Sequence, residues 1–513
     1  MHRWLGFLVA GSAIAAMGAA PNPAMARTAP PAVAGQNPDA SAPQIAWREG
    51  DVEDAFAEAR EKNKPVLLYW GAKWCPPCNQ LKQSLFKDPT FIAETRNFIP
   101  VHLDGDAPDA QKWGERFGIA GYPTVIVLLP DRTEVTRLSG GSMADTLTGV
   151  LKLAAARTSS TEDLLARAET PGALTPADWQ LLSSFDWLDD PKHVGDLARG
   201  SVLVDKLAKA APDPAMRRHF ALTALLMASG DAEQPRLSAA QQSVLRQTLP
   251  GILSSYAEVK NNRQELAEGT ASLILALPAG KERSRLSHDL IAAMDRVAAD
   301  DSLPLGDRLS SIDPEIVLSK AANHGAVPQA VLAKVRARVA MADRLATNPQ
   351  MRQGVMPGAG EALIEAGDPK GGAALWEAEL PHAVAPFYYM ADLSDLAAAE
   401  KNDAAALDWS RKAAESAVGP ATRIQWAIRY SEAVMRLEPT DKQAVSAAAS
   451  MVVDRLAHDT AGYAERTQRK VARWGDQLRA WSARNDGAAV LAQLGARLDA
   501  ACAGNRCQNV LKT

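Results

Sequence analysis

The residues best placed to do chemistry in this chain are Cys75 and Cys78, which stand three positions apart directly after an apolar segment. That segment, residues 65–72, is rich in branched and aromatic side chains and predicts a buried strand. Pro76 and Pro77 lack N–H groups, which is harmless only in the first turn of a helix. The sequence therefore predicts a strand, a turn at Cys75 and a helix that begins near the two prolines.

The expected helix, residues 79–86, places Cys75 at its positive end, where the macrodipole and nearby N–H groups favour thiolate over thiol. A thiolate attacks disulfides, and Cys78, one turn further on, can resolve the mixed disulfide by intramolecular attack. Zinc binding is a second interpretation, but no His or second C-x-x-C lies nearby in the sequence. An inert disulfide is a third, disfavoured because so short a loop is strained and reducible. We predict catalytic cysteines with no metal and no cofactor.

The motif WCPPC at residues 74–78, after an apolar strand, resembles the active site of the thioredoxin superfamily. A second mark of the family is GYPT at residues 121–124. The resemblance implies an α/β thioredoxin fold, predicted over residues 44–157. It also implies that Pro123 follows a cis peptide bond and packs against the dithiol, and that Tyr122 offers backbone groups to an extended substrate.

The order of predicted elements supports this resemblance. Proline at position 100 suggests a bulge or an irregular start in the second long strand. Trp74 is expected to shape the rim of the site. The predicted elements in chain order are a helix over residues 49–63, the strand and helix already described, a strand over 98–103, a helix over 110–117, a hairpin of strands over 125–129 and 134–138, and a helix over 143–156.

Within the superfamily, residues 55–81 are most similar to the exported group that includes the periplasmic disulfide reductases. One position departs from thioredoxin, which carries a buried Asp six residues before its first Cys; here that residue is Tyr69. Proton transfer at Cys78 is then expected to use water or another carboxylate. Lys73 is expected to be exposed to solvent rather than paired with the Cys75 thiolate.

Residues 1–26 have the organisation of an export signal: a short positive start, an apolar segment over residues 4–20 and a small-x-small cleavage site at residues 24–26. An uncleaved membrane anchor is the alternative, disfavoured because Gly11 interrupts a short apolar segment. Residues 27–43, rich in Pro and Ala, predict a flexible leader. We therefore expect a periplasmic protein without stable membrane insertion after cleavage, in a compartment where disulfides persist.

Length and charge set further bounds. The 513 residues predict about three or four domain-sized units. A formal net charge of −4 and the absence of a long basic run argue against nucleic acid as a partner.

After a predicted linker at residues 158–164, helical periodicity runs through residues 165–513 without a convincing strand. Trp376 and Trp409 stand 33 positions apart in similar surroundings, close to the tetratricopeptide period of about 34 residues. We predict an all-α, tetratricopeptide-like domain. The clearest helical segments are residues 220–228, 271–277, 331–345 and 444–457.

Two further cysteines, Cys502 and Cys507, close the chain. Leu494 and Leu498 put Cys502 on an apolar helical stripe, and residues 503–505 can turn the chain back so that the pair can bridge. We predict a structural disulfide, with a second redox pair as the alternative.

These observations favour a periplasmic thiol–disulfide oxidoreductase, a reductase of protein disulfides whose helical domain binds partners or clients. Its partners would be disulfide-bonded proteins and an upstream thiol electron donor, such as a membrane disulfide reductase. An adaptor that uses the thioredoxin domain as a peptide-binding platform is one alternative. A specialised reductase for cytochrome or metal-site assembly is another.

Overall fold

The structure is a computed structural model of the chain. The signal peptide and leader predicted for residues 1–26 and 27–43 lie outside the described residues. The structure describes residues 44–49, 52–119, 121–140, 146–190, 192–230, 235–504 and 507–512.

The first unit is a sheet flanked by helices. The five strands lie in the order β1-β3-β2-β4-β5, with β1, β3 and β2 parallel and β4 and β5 antiparallel to their neighbours. Its elements are β1 (Arg48–Glu49), α1 (Val52–Lys62), β2 (Val66–Gly71), α2 (Pro76–Gln83), α3 (Pro89–Thr95), β3 (Ile99–Asp104), α4 (Pro108–Arg116), β4 (Thr124–Leu128), β5 (Glu134–Ser139) and α5 (Leu147–Ala154).

Strand β2 is the centre of this sheet, and all six of its residues are buried. Such a strand is covered on both faces, which is why its sequence is a continuous apolar run rather than an alternating one. Pairing with β3 places Gly71, the end of β2, beside Asp104, the end of β3. The chain segments that follow these two strands therefore emerge at the same edge of the sheet.

The bulge expected at Pro100 is absent, because Pro100 pairs in regular register with Leu67. The Ile99 N–H donates to the carbonyl of Pro65, on the β2 side of β3. The backbone nitrogen of Pro100 therefore faces the β1 side of β3. Strand β1 begins to pair with β3 only at the next residue, Val101. A missing N–H costs little there.

Beyond the sheet, every regular element of the described chain is helical. The four segments predicted most clearly lie in or overlap α9, α13, α17 and α23. The α-helices are α6 (Thr161–Ala168), α7 (Pro176–Ser183), α8 (Leu197–Ala210), α9 (Pro214–Ser229), α10 (Ala239–Ser254), α11 (Tyr256–Asn261), α12 (Arg263–Glu268), α13 (Thr270–Leu275), α14 (Lys281–Ala299), α15 (Leu305–Ser310), α16 (Asp313–Ala322), α17 (Gln329–Leu345), α18 (Pro349–Glu365), α19 (Pro369–Glu379), α20 (Pro386–Ala399), α21 (Asp403–Ser416), α22 (Pro420–Leu437), α23 (Lys442–His458), α24 (Glu465–Arg484) and α25 (Ala488–Ala501).

Of the linker expected at residues 158–164, residues 161–164 form the start of α6, and residues 158–160 precede it without regular structure. Ser160 and Asp163 form a capping box at its N-terminus, a signature that fixes a helix start. Thr161 is buried and donates a hydrogen bond to the Glu134 carbonyl of β5 at 3.3 Å. The chain therefore passes from sheet to helices without a free connection.

One hydrophobic core spans both parts of the chain. Leu67 of β2 and Leu151 of α5 belong to the same buried cluster as Trp179, Leu182 and Phe220 of the helical region. Burial of this size stabilises a fold by roughly 1.5–3 kcal/mol for each large apolar side chain. The first helices are thus part of the same cooperative unit as the sheet.

Buried charges reinforce this junction. The carboxylate of Glu134 and the guanidinium of Arg137, both on β5, form an ion pair at 2.6 Å with side chains 4% and 3% exposed. Lys192, from the segment before α8, reaches the same carboxylate at 2.5 Å. Separation of the helices from the sheet would therefore break the contact between Lys192 and Glu134, while Glu134 and Arg137 would remain paired on β5.

The two tryptophans of the predicted repeat have different surroundings. Trp376 is 1% exposed, and its indole N–H donates to the Pro357 carbonyl at 3.1 Å. Trp409 is half-buried, with the Lys412 ammonium 4.3 Å from its ring centroid. The tetratricopeptide-like repeat stays a prediction.

At the end of the chain, Cys502 and Cys507 are joined by a disulfide, with their Cα atoms 4.5 Å apart. Leu494 and Leu498 are buried with Cys507 in the core of the last helices. The stabilising role of this disulfide stays a prediction. In the part of the chain that the structure describes, no helix combines the length and apolarity needed to cross a bilayer.

We expect Leu182→Ala to lower the free energy of unfolding by about 2–5 kcal/mol, because it opens a cavity in the shared core. Leu182 has no exposed surface. Hydrogen exchange should report faster exchange in β2 as well as in α7. The matched control is Gln180→Ala on the exposed face of α7, expected to change stability by less than about 0.5 kcal/mol. Unchanged protection of β2 in Leu182→Ala would show that the sheet is stable independently of α7.

Candidate active site

The dithiol lies where β2 gives way to α2. Cys75 is the N-cap residue of α2, and Pro76 and Pro77 occupy the first turn. This is the position predicted from their lack of N–H groups. Cys75 and Cys78 are joined by a disulfide, with Cα atoms 5.2 Å apart. The backbone N–H of Cys78 points at Cys75 Sγ at 3.3 Å. The helix N-terminus and this N–H are both placed to stabilise negative charge on that sulfur.

The loop before β4 lies against the dithiol. The Tyr122–Pro123 peptide bond is cis, as the resemblance implied. The Tyr122 ring packs against Trp74, with centroids 5.9 Å apart, and both rings contact the cluster that contains the two cysteines. Among the backbone hydrogen bonds of the described residues, none uses the N–H or carbonyl of Tyr122.

The cysteines are not on an open surface, because Cys75 is 2% exposed and Cys78 has no exposed surface. Part of the cover comes from α18, which packs along α2. At Gly354 of α18, an added Cβ would lie 3.3 Å from the carbonyl oxygen of Pro76. Glycine at this position lets the two helix backbones approach closely. The helical region therefore forms one wall of the candidate site.

A second contact joins the rim of the dithiol to α22 through Asp106. The Trp74 indole N–H donates to Asp106 Oδ2 at 2.6 Å. The backbone N–H and the hydroxyl of Thr422 donate to Asp106 Oδ1 at 3.0 and 2.6 Å. Burial raises the pKa of Asp106, although these hydrogen bonds oppose the shift. One half-buried carboxylate therefore fixes the position of Trp74 against the helical region.

This carboxylate also acts as the N-terminal cap of α22. The residue at the cap position is Gly419, which has no side chain to supply the bond, and Thr422 is the third residue of the helix. Asp106 accepts the N–H that a capping side chain would normally accept. Gly419 has φ of +91°, and an added Cβ would lie about 2.4 Å from Asp106, so only glycine fits here.

Aromatic rings of the helical region extend the rim. Tyr388 of α20 stacks on Trp74, with centroids 5.7 Å apart. Trp426 of α22 contacts Tyr388 edge to face at 5.4 Å. All three rings are half-buried, so each keeps an exposed portion. The rim is thus built from two distant parts of the chain.

Tyr69 of β2 stands six residues before Cys75, at the position where thioredoxin carries a buried Asp. Its hydroxyl is buried without a hydrogen-bond partner in the described structure, and its ring stacks on His102 at 5.2 Å. Burial and the nearby Asp104 raise the pKa of Tyr69, so the phenol stays protonated. Burial also lowers the pKa of Lys82, while Asp104 opposes that shift. The Asp104 carboxylate thus acts electrostatically on both Tyr69 and Lys82.

The structure brings together every predicted site residue near the dithiol, namely Trp74, Cys75, Cys78, Tyr122 and Pro123. Lys73 is exposed, as expected. The sequence interpretation missed Asp106, Tyr388 and Thr422. Asp106 alone had a signal, because it follows β3 and the ends of neighbouring parallel strands meet at one edge of a sheet. No group of three or more metal-ligating side chains was found in the described residues.

These features define a class of protein module. Residues 52–155 match the family model described as a thioredoxin-like domain. With the mixed sheet, the dithiol at the start of α2 and the cis proline, this part of the chain is a thioredoxin-like domain, and an all-helical region follows it.

Among curated proteins, the chain is 31% identical over 85 residues to the thiol:disulfide interchange protein DsbD 1 of Pseudomonas aeruginosa. The match covers 16% of this chain and 14% of that protein, so the chain spans only a small part of this relative. Thioredoxin H4 of Arabidopsis thaliana is 25% identical over 95 residues, covering 18% of this chain and 76% of that protein.

Two solved structures are similar to a part of the chain. A thioredoxin from Thermus thermophilus is 25% identical, covers 21% of this chain and 86% of its own, and gives a TM-score of 0.20. The DsbH oxidoreductase is 14% identical, covers 24% of this chain and 94% of its own, and gives a TM-score of 0.19.

We expect Asp106→Ala to speed amide exchange at Thr422 by about tenfold or more, because it removes the acceptor of the Thr422 N–H, at a cost of about 1–3 kcal/mol. Hydrogen exchange measured by mass spectrometry checks this. The control is Asp109→Ala, at an exposed residue of α4, which should leave Thr422 unchanged. Equal exchange in both variants would mean that Asp106 does not hold α22.

Proposed function

We propose that this protein is an exported thiol–disulfide oxidoreductase that reduces disulfides of client proteins. The observation that carries the proposal is the position of Cys75 at the N-terminus of α2, with the Cys78 N–H at 3.3 Å from its sulfur. This arrangement favours a thiolate at Cys75. The match of residues 52–155 to a thioredoxin-like domain supports the same reaction class.

The reaction follows from the two thiols. The Cys75 thiolate attacks one sulfur of a client disulfide, which breaks that bond and releases the other client sulfur as a thiolate that takes up a proton. Cys78 then loses its proton and attacks Cys75 Sγ, releasing the second client thiol. The client gains two electrons and two protons, and the enzyme is left with the Cys75–Cys78 disulfide. An upstream dithiol donor must reduce this disulfide before the next cycle.

Roles for the rim follow from the contacts. Among the described residues, the N–H and carbonyl of Tyr122 have no backbone partner. They form a free backbone edge next to the dithiol, which suits pairing with an extended client segment. Pro123 holds that edge against the cysteines, and Trp74 forms the opposite side of the entrance. The proton released by Cys78 would pass to water or to Asp104, since Tyr69 stays protonated.

The predicted signal over residues 1–26 supports export to the periplasm. There, clients with disulfides are available and a membrane disulfide reductase is a suitable electron donor. The helical region would bind clients or partners, because α18, α20 and α22 all reach the dithiol.

A second candidate function has one observation in its favour. Cys75 is only 2% exposed and its rim is packed against helices of the same chain. An adaptor that uses the thioredoxin-like domain as a peptide-binding platform would not need an accessible sulfur. The same cover suits a specialised reductase with few clients, since a covered thiolate reacts with few disulfides. Insulin reduction by the full chain without residues 1–26 separates an enzyme from an adaptor.

We expect Cys78→Ala to accumulate mixed disulfides with clients on Cys75, because the resolving thiol is gone while the nucleophile remains. Non-reducing electrophoresis and mass spectrometry of the exported protein detect the adducts. Cys75→Ala is the matched control and should form none. Adducts that form only in Cys75→Ala would reverse the two roles, and adducts in neither variant would favour the adaptor.

We also expect a reducing potential, closer to that of thioredoxin than to those of strongly oxidising periplasmic enzymes. Pro76 and Pro77 remove two N–H groups that would stabilise the thiolate, and they restrict the loop before the disulfide closes. Both effects favour the oxidised enzyme, so the reduced enzyme is a donor. A glutathione-buffered titration of the full chain that gives a potential at or above roughly −180 mV would indicate an oxidase or isomerase instead.

A pair of variants sharpens this prediction. In a capped helix, the capping side chain accepts from the second or third N–H, not from the first. Pro77→Ala restores the second N–H next to Cys75 and should raise the potential by about 30–60 mV, the equivalent of one hydrogen bond to a charged group. Pro76→Ala restores only the first N–H and should shift the potential by less. Equal shifts would indicate that loop stiffness, not hydrogen bonding, sets the potential.

A further inference from the structure

A surface of aromatic rings and cations leads away from the dithiol on the helical side. We call it the aromatic–basic surface. It consists of Trp74, Tyr388, Trp426, Arg429, Arg466, Lys470 and Arg473. Except for Trp74, all of these residues belong to the helical region.

The aromatic part forms a continuous path. The ring centroids of Trp74 and Tyr388 are 5.7 Å apart, and those of Tyr388 and Trp426 are 5.4 Å apart. The Arg429 guanidinium lies 5.5 Å from the centroid of the Trp426 ring. The three rings are half-buried and Arg429 is exposed. Since an extended chain advances about 3.3 Å per residue, a bound segment would reach the cations within about five residues of the dithiol.

The basic part comes mainly from α24. Arg466, Lys470 and Arg473 are spaced by four and three residues, which places them on one face of the helix. Within the described chain, neither Arg466 nor Arg473 has a carboxylate at salt-bridge distance. Their neighbour Arg469 differs, because it pairs with Glu115 at 2.5 Å. The Lys470 ammonium donates only to the neutral Gln425 side chain, at 2.9 Å.

These cations lie close enough to repel one another. Burial, together with Arg466, Arg473 and Arg429, lowers the pKa of Lys470 to about 8, and Glu432 opposes the shift. A bound anion would relieve this repulsion.

Carboxylates of the protein neutralise little of this charge. Asp395 pairs with Arg429, and Asp106 is already occupied by Trp74 and Thr422. Burial raises the pKa of Glu432, so its charged form is disfavoured. The surface therefore keeps an excess of positive charge beside the dithiol.

The same charges reach the loop that would hold a client. Arg466 lies next to the Tyr122 hydroxyl, where it opposes the rise in the pKa of Tyr122 that burial causes. Tyr122 also carries the free backbone edge beside Cys75. An extended chain paired with Tyr122 would thus run past aromatic rings and then meet Arg466 and Arg473, which have no carboxylate partner among the described residues.

We propose that the aromatic–basic surface selects clients in which an extended segment carries Asp or Glu within about five residues of the disulfide cysteine. This inference rests on the proposed reductase function, because it places the client sulfur at Cys75. The helical region then supplies substrate specificity for the thioredoxin-like domain, through charge as well as shape.

The test uses the full chain without residues 1–26 and two synthetic disulfide-linked peptides of equal length, one with Asp and one with Lys around the cysteine. We expect kcat/KM to favour the Asp peptide by about tenfold at low salt, with the preference falling in 0.5 M salt. Arg466→Gln combined with Lys470→Gln should bring the ratio close to one, and Arg473→Gln should lower it partly. Each rate is divided by the rate of the same variant on the neutral 2-hydroxyethyl disulfide, so that any change in the dithiol itself cancels.

Arg484→Gln is the control, because Arg484 is exposed at the far end of the same helix. It should keep the full preference. Equal rates for the two peptides in the wild type, or an unchanged ratio in the double variant, would overturn the proposal. If glutathione disulfide loses as much rate as the Asp peptide in the double variant, the surface binds a small anion rather than a protein segment, and the proposal is wrong.

A binding measurement separates this inference from the proposed function. The same peptides with Ser in place of Cys are titrated against the oxidised protein, and fluorescence anisotropy should show tighter binding of the Asp peptide. That result without any reduction of the disulfide peptides would reject the reductase and keep the charge selection. Reduction of both disulfide peptides, with equal binding of the two Ser peptides, would keep the reductase and reject the charge selection.

Discussion

The carboxylate of Asp106 is the contact on which the arrangement of the site depends. It accepts the indole N–H of Trp74 and, on its other oxygen, two donors from Thr422. A single side chain thereby orients the rim of the dithiol and caps the helix that covers it. The geometry requires glycine at position 419, since any larger residue would overlap with the carboxylate. Loss of this contact would affect both parts at once, because within the described residues neither the Trp74 indole N–H nor the Thr422 N–H has another acceptor.

The enclosure of the dithiol changes what a thioredoxin-like module can do. A thiolate at a helix N-terminus is reactive by its electrostatics, but reaction also needs access. Here α18 lies along α2 and Tyr388 stacks on Trp74, so that both cysteines have almost no exposed surface. The helical region is continuous with the sheet through a shared core and a buried ion pair, so it covers the site as part of the same folded unit. The thioredoxin-like part therefore carries the dithiol, and the helical region covers it.

Much of the thioredoxin-like part could be predicted from local sequence. The apolar run of β2 and the prolines after Cys75 determined the strand, the turn and the start of α2, because burial and missing N–H groups act within a few residues. The expectation for Pro100 was wrong because it considered the strand alone. Only the pairing of β3 with its neighbours shows that position 100 faces the side where β1 has not yet begun. The predicted linker was wrong for a related reason, since the Ser160 capping box is local but the burial of Thr161 against β5 is not.

The sequence by itself determined the chemistry: two cysteines one helical turn apart, a proline loop to face them, and helices from residue 165 onward. It could not determine what surrounds that chemistry. Tyr388, Thr422 and Arg466 lie more than 250 positions from Cys75 and follow no motif. They meet the dithiol only because the helices stack back over the sheet. Contacts of that kind depend on how helix faces pack against one another, and an apolar helical stripe specifies that a face is buried without specifying against which partner.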